Sequence, residues 1–345
     1  MNGFGRWVRF WDARERGESL ALVRILVPLV LLWDLSEVWH LSLVRVLWAP
    51  IEEGGLGPAS YAAPTIELYE WLGATLQTTH VLLALSVLSA LSLMLGVCSR
   101  TSALVLLLAY AQLEKLSPDA DRGIDTLLRN VLCILVFARA GGTLSLGARF
   151  RRGSFVNDAL VPAWPRYLLI AQLVVLYFFA GVSKDSANWS IRGDYSALFY
   201  ILSEPHTARF SLPHELLVAA YPLLQLATLS TVLWERAAIL LPLLFWLRKT
   251  RTRGSFFHRW VNRLRLLELW IGTGVFFHLT LALLLSLGIF PWGCLALYPA
   301  FATPDALQHG AGRLRAAVAR PFVRLHASIS SRRQRRAATS TGARS

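Results

Sequence analysis

Residues 165–184 read PRYLLIAQLVVLYFFAGVSK, an apolar run that closes on a lysine. About 20 mostly apolar residues are what a helix needs to cross the hydrocarbon core of a bilayer. A primary amine at the end of such a run needs a reason, which depends on the solvent the rest of the chain is built for. Working outward, runs of the same kind recur near residues 20–38, 76–97, 102–116, 126–141, 214–247 and 266–288, with a shorter apolar piece at 289–303. Because they recur along the whole chain, a removable secretory leader does not explain them.

The composition agrees. Of 345 residues, 55% are hydrophobic and only 16% charged, and the mean hydropathy is +0.47, well above that of an ordinary soluble domain. The expected fold is all-α, a polytopic membrane helical bundle of about seven to eight transmembrane helices. Residues 1–17 read as a cytoplasmic segment, 18–303 as the transmembrane domain, and 304–345, ending HASISSRRQRRAATSTGARS, as a basic, disordered tail with a surface helix around RLRAAVARPFVRL.

Charge supports a membrane setting over nucleic acid. The net charge is +14, but the arginines gather in blocks that flank apolar runs, where they set topology and meet anionic lipid. Arg6, Arg9, Arg14 and Arg16 precede the first span, Arg149, Arg151, Arg152 and Arg166 surround the linker after the fourth, and RKTRTRGSFFHRWVNRLR follows the sixth. The connection at 39–75 has one arginine, Arg45, against Glu52, Glu53, Glu67 and Glu70. The N-terminus is therefore expected in the cytoplasm of a bacterial-type inner membrane, with the loops near 39–75, 116–125 and 185–213 outside. The Arg-rich tail also belongs inside, which needs an even number of crossings. Either 289–303 crosses, or 214–247 counts differently: it is one long tilted helix, or two pieces broken near Trp234-Glu235-Arg236. Cys98, Cys133 and Cys294 lie singly in or beside apolar runs, without the spacing of a zinc site or a dithiol, so no metal centre is expected.

Ionisable groups at membrane depth cost about 2.5–3.5 kcal/mol each on insertion scales and usually face a bundle interior. The candidates are Arg24 and Asp34 in the first span, Asp125 and Arg129 in the fourth, Lys184 ending the fifth, Glu235 and Arg236 in the sixth, and Glu268 and His278 in the seventh. Arg24 is expected either to snorkel or to form an interior ion pair. Asp125 and Arg129, four apart, are expected to pair with each other. Glu235 and Arg236 point apart and need separate partners. His278 is either a hydrogen-bonded core histidine or an acid/base group. Lysine occurs only at 115, 184 and 249, every other basic residue being arginine, and an amine can release its proton where a guanidinium cannot. Lys184 is either an interfacial anchor beside Asp185 and Trp189 or, facing a cavity, a base.

Four pieces carry a resemblance. SLALVRILVPLVLLWDL (19–35), LGVCSRTSALVLLLAYAQ (95–112) with DRGIDTLLRNVLCILVF (121–137), YFFAGVSKDSANWSIRGDYSALFYIL (177–202), and LLQLATLSTVLWERAAILLPLLF (223–245) with FFHLTLALLLSLGIFPW (276–292) occur in this order. Together they resemble the HTTM (horizontally transferred transmembrane) domain, related to the membrane core of vitamin K-dependent gamma-glutamyl carboxylase. The resemblance implies that Lys184 is a base acting on a reduced quinone such as menaquinol. Ser183-Lys184 stands where the carboxylase has two lysines. The expected function is a quinone- or lipid-linked membrane enzyme with Lys184, Glu235 and His278 as its catalytic residues. Arg24, Asp34, Asp125, Arg129 and Arg236 would form its polar frame. The expected partners are the lipid bilayer and a small secreted peptide or redox protein, with no nucleic acid. The alternative is a non-enzymatic membrane partner or transport component whose buried charges only hold helices together.

Overall fold

The structure is a computed structural model that describes residues 3–57, 73, 75–117, 120–249, 256–308 and 310. Glu67 and Glu70, residues 250–255 of the basic connection and the tail beyond 310 lie outside the described residues. The chain divides into two units, residues 1–301 and 302–345. In the second, a short helix begins beside Thr303, whose hydroxyl accepts the Ala306 N–H at 3.3 Å.

The main helices of the first unit are α1 (Glu18–His40), α2 (Leu76–Leu95), α3 (Ser99–Leu116), α4 (Gly123–Phe137), α5 (Trp164–Val182), α6 (Tyr221–Arg236), α7 (Leu241–Lys249), α8 (Leu266–Leu284) and α9 (Phe290–Leu297). Shorter helices at Gly3–Trp11, Leu43–Trp48, Leu146–Arg152, Ala197–Ser203, His214–Ala219 and Phe256–Arg263 lie in the connections. Among the described residues, five stretches are long and apolar enough to cross a membrane: α1, α2, α5, α8 and the continuous Tyr221–Arg248. With 15 residues, α4 is about 22 Å long. The lipid setting also explains side chains that water would not tolerate in such numbers. Leu88, Phe179, Leu226, Leu233, Phe276 and Leu283 all point outward.

The 214–247 stretch takes neither of its expected forms cleanly. After α6 the helix tightens into a 3-10 turn at Ala237–Leu240, directly following the Trp234-Glu235-Arg236 triplet, and continues as α7.

The starts of α1 and α5 lie side by side. Strand β1 (Arg14–Glu15) pairs antiparallel with β2 (Val161–Pro162) immediately before them. Arg166 grips Glu15 with two bonds of 2.6 and 2.7 Å, and its other nitrogen donates to the Ala300 carbonyl at 3.0 Å. Ala300 follows α9, whose own start adjoins the far end of α8, where Arg209 N–H donates to Leu284 O and Ser286 N–H to Thr207 O. The 290–301 segment thus runs back along the bundle, from the outgoing end of α8 towards the start of α5. It lies against α1, α4, α5 and α8, while α2 lies between α1 and α3, and α6 flanks α5.

Arg24 follows neither of its expected readings. It is completely buried, and its guanidinium donates to the carbonyls of Leu93 (2.8 Å), Met94 (3.1 Å) and Leu144 (2.6 Å) rather than to a carboxylate. The last carbonyls of a helix have no partner within it and carry the negative end of its dipole, so Arg24 acts as a cap supplied by another helix. Gly96 makes room: it takes the left-handed turn after α2 (φ 74°), and a Cβ there would overlap the Arg24 guanidinium and Ser145.

Candidate functional site

Helix α5 ends at Val182, and Lys184 folds back over its last turn. The ammonium donates to the Ala180 carbonyl at 3.2 Å and to Glu235 Oε2 at 2.6 Å, and it sits 5.1 Å from the centre of the Trp189 ring. Two hydrogen bonds and an aromatic face occupy the three ammonium protons. The side chains of Lys184 and Glu235 are 19% and 6% exposed, so the pair is set into the protein and not carried on its surface.

Gly181 allows this approach. A Cβ there would stand 2.9 Å from both the Arg236 backbone nitrogen and Glu235 Cβ, closer than side chains tolerate. Arg236 uses the same contact, donating from Nε to the Gly181 carbonyl at 2.9 Å. Glu235 and Arg236 therefore have separate partners, Lys184 just beyond the end of α5 and Gly181 in its last turn.

His278 belongs to a different group. It is fully buried. Its Nε2 lies 2.6 Å from the Tyr177 hydroxyl, which is 3.2 Å from the Tyr298 hydroxyl. Trp234 and Trp270 stack at 4.8 Å beside Tyr177, and each indole N–H donates to the other's carbonyl at 3.0 and 3.1 Å. This aromatic cluster ties α5, α6 and α8 together. His278 Nδ1 has no partner among the described residues. The structure thus joins Lys184 to Glu235 and gives His278 to the tyrosines.

A second polar cluster lies at the outgoing end of α1, where α3 ends and α4 begins. Here the expected Asp125–Arg129 pair does not form. Asp125 occupies the third position of α4 and turns back to accept the Arg122 backbone N–H at 2.9 Å, as a capping-box acid does. It also takes Arg122 Nε at 2.8 Å and the Tyr110 hydroxyl at 2.8 Å. Arg129 instead holds Asp121 with bonds of 2.6 and 2.8 Å. Asp34 is gripped by the remaining guanidinium nitrogens of Arg122 at 3.0 and 2.6 Å. Glu268, the other acid in an apolar span, meets Arg248 at 2.8 Å on the surface.

Two hollows stand out among the described residues. One, of about 230 Å³, is lined by this second cluster and by Trp48, Leu113 and Ser117. The other is an apolar groove between α1 and α9, flanked by Trp33 and Trp292. Neither is lined by Lys184, Glu235 or His278. The reduced quinone implied by the resemblance does not fit at Lys184 as it stands: the ammonium is saturated by protein groups, and neither hollow brings ring-sized space to it.

Sequence reasoning missed Arg122, which organises the second cluster, because it lies outside every apolar run. It also missed Gly181 and Tyr177. The Ala180-Gly181 pair was a legible signal of close backbone approach, whereas nothing in the sequence singled out Tyr177 from the other aromatic residues of its run. Among the described residues no group of three or more His, Cys, Asp or Glu side chains is arranged to hold a metal ion.

The sequence model described as the HTTM domain matches residues 14–306. No solved structure matches the chain.

Proposed function

This chain belongs to the HTTM domain family, and on that premise we propose that it is a multi-pass membrane protein whose working centre is the Lys184–Glu235 pair, a proton donor and acceptor joined across two helices. The observation that carries this reading is the 2.6 Å contact between Lys184, which closes the apolar run of α5, and a carboxylate from α6. The Arg236–Gly181 bond beside it locks the register of the two helices. Transfer of the ammonium proton to Glu235 would leave a neutral amine at Lys184 that could accept the acidic proton of a bound substrate, the re-formed ammonium then balancing the charge of the substrate anion. Such a substrate would come from the bilayer or from the outer surface, as a lipid-soluble molecule or a peptide. His278 and Tyr177 would then act from behind, fixing the end of α5 from which Lys184 extends.

The proposed topology has eight crossings, α1 to α5, α6 with α7, α8, and the 290–301 segment, with the N-terminus in the cytoplasm of an inner membrane. It is supported by the pairing of β1 with β2 and by the Arg166–Ala300 bond, which return the chain to its starting side. Cys98, exposed in the turn between α2 and α3, should then react with an impermeant maleimide only after the membrane is opened. Labelling of intact cells or right-side-out vesicles would refute this placement.

The test of function compares wild type with Lys184→Arg at matched protein levels. Arginine keeps the positive charge but does not release a proton. The proton-transfer reading expects lipid and peptide extracts from the two strains to differ in at least one accumulated species while thermal stability is retained. A second reading has its own support, namely that every donor on Lys184 is spent on protein groups. In that case the pair is a structural tie, and the extracts would be identical.

A further inference from the structure

The hollow beside Asp34 is separate from Lys184, which does not line it. Its lining contains four carboxylates, Asp34, Glu114, Asp121 and Asp125, against two guanidiniums, Arg122 and Arg129, and with Lys115 ion-paired to Glu114 just outside the lining an excess of one negative charge remains. The three aspartates are engaged by arginine and cannot converge on a metal ion. Glu114 is different. Its carboxylate is 3.8 Å from Arg129 and 3.9 Å from Lys115, too far for hydrogen bonds, and its side chain is 24% exposed. Ser117, on the same wall, is 1% exposed, and its hydroxyl has no partner among the described residues. A buried hydroxyl facing a hollow without a partner costs about 1–3 kcal/mol unless a ligand or water satisfies it. Trp48 supplies an aromatic surface close by, its own N–H already spent on the Leu113 carbonyl at 3.1 Å.

We propose that this hollow binds a primary ammonium group, held by the Glu114 carboxylate and the Ser117 hydroxyl against Trp48. Surplus negative charge selects a cation, and the two free acceptors select one that carries N–H donors over a quaternary ammonium. A volume of about 230 Å³ would hold roughly seven waters at about 30 Å³ each, and so fits a group of ethanolamine size. That chemistry is offered both by a small free amine and by the headgroup of phosphatidylethanolamine. This assignment does not depend on the role of Lys184.

The test uses the purified full-length chain in detergent. Calorimetry measures ethanolamine and choline, and native mass spectrometry measures short-chain phosphatidylethanolamine and the phosphatidylcholine of equal chain length. The primary amine of either pair should bind at least about tenfold more tightly than its choline counterpart. Glu114→Gln should weaken binding by about tenfold and Ser117→Ala by about threefold, with unfolding temperatures unchanged. Saturable binding of ethanolamine itself identifies a free amine, and preference seen only with the lipid identifies a headgroup. The proposal is overturned if neither primary amine outbinds its choline counterpart, or if Glu114→Gln and Ser117→Ala both bind as the wild type does.

Discussion

The Lys184–Glu235 pair and the Asp34–Arg122 cluster both lie towards the outgoing ends of helices that start beside the β1–β2 pair, yet they handle buried charge in opposite ways. At Lys184 a single cation meets a single carboxylate, a carbonyl and an aromatic face, and nothing is left over. At Arg122 the cation bridges two aspartates, and the surrounding carboxylates outnumber the arginines and enclose a hollow. The difference teaches that ionisable residues in an apolar span have no common meaning. A closed pair must be opened before it can do chemistry, whereas a cluster with spare acceptors is already arranged to take a ligand.

The largest expected effect sharpens this contrast. Arg122→Ala removes the cation, itself 42% exposed, from two aspartates whose side chains are 12% and 4% exposed, so the loss should be about 3 kcal/mol, the lower end of what breaking a buried pair costs. Thermal unfolding in detergent followed by tryptophan fluorescence should show a drop of that order, and a loss below about 1 kcal/mol would mean that water reaches the cluster freely. Gly181→Val comes next. Its side chain must push α6 away from α5, at about 1–3 kcal/mol of overpacking, and should separate Lys184 from Glu235. If the same unfolding assay finds the variant as stable as wild type, the close helix approach is wrong.

Much of the fold was legible because hydrophobic runs dictate helices in lipid. The quoted run at 165–184 is helical over Trp164–Val182. The details that escaped depend on contacts distant in sequence. Nothing around Arg24 announces that its partners are carbonyls about 70 and 120 residues away. Asp125 and Arg129 have the right spacing to pair, but the N-terminal position of Asp125 turns its carboxylate towards unsatisfied backbone N–H groups and Arg122. Of the proposed catalytic group, the sequence identified Lys184, Glu235 and His278 by type, but it carried no information that Tyr177 and Trp234 take His278 into a separate cluster.

Smaller effects probe the edges of the comparison. Lys184→Arg should change stability by about 1 kcal/mol or less, because the charge and the partner carboxylate remain; a larger loss in the unfolding assay would show that the site requires the shape of lysine. Glu268→Gln removes an ion pair whose partners are 45% and 35% exposed. It should cost no more than about 0.5 kcal/mol, and a greater cost would place that pair inside the bundle.

The most direct measurement is a zero-length cross-link. Carbodiimide activates a carboxylate, and an amine in contact with it displaces the urea to form an amide bond, so only touching residues are joined. With lysine at just three positions in the chain, peptide mass spectrometry can assign the product without ambiguity. A Lys184–Glu235 amide that is absent from Glu235→Gln is the predicted result. A product joining Lys184 to Asp185 or Asp194 instead, with Glu235 unmodified, would contradict it.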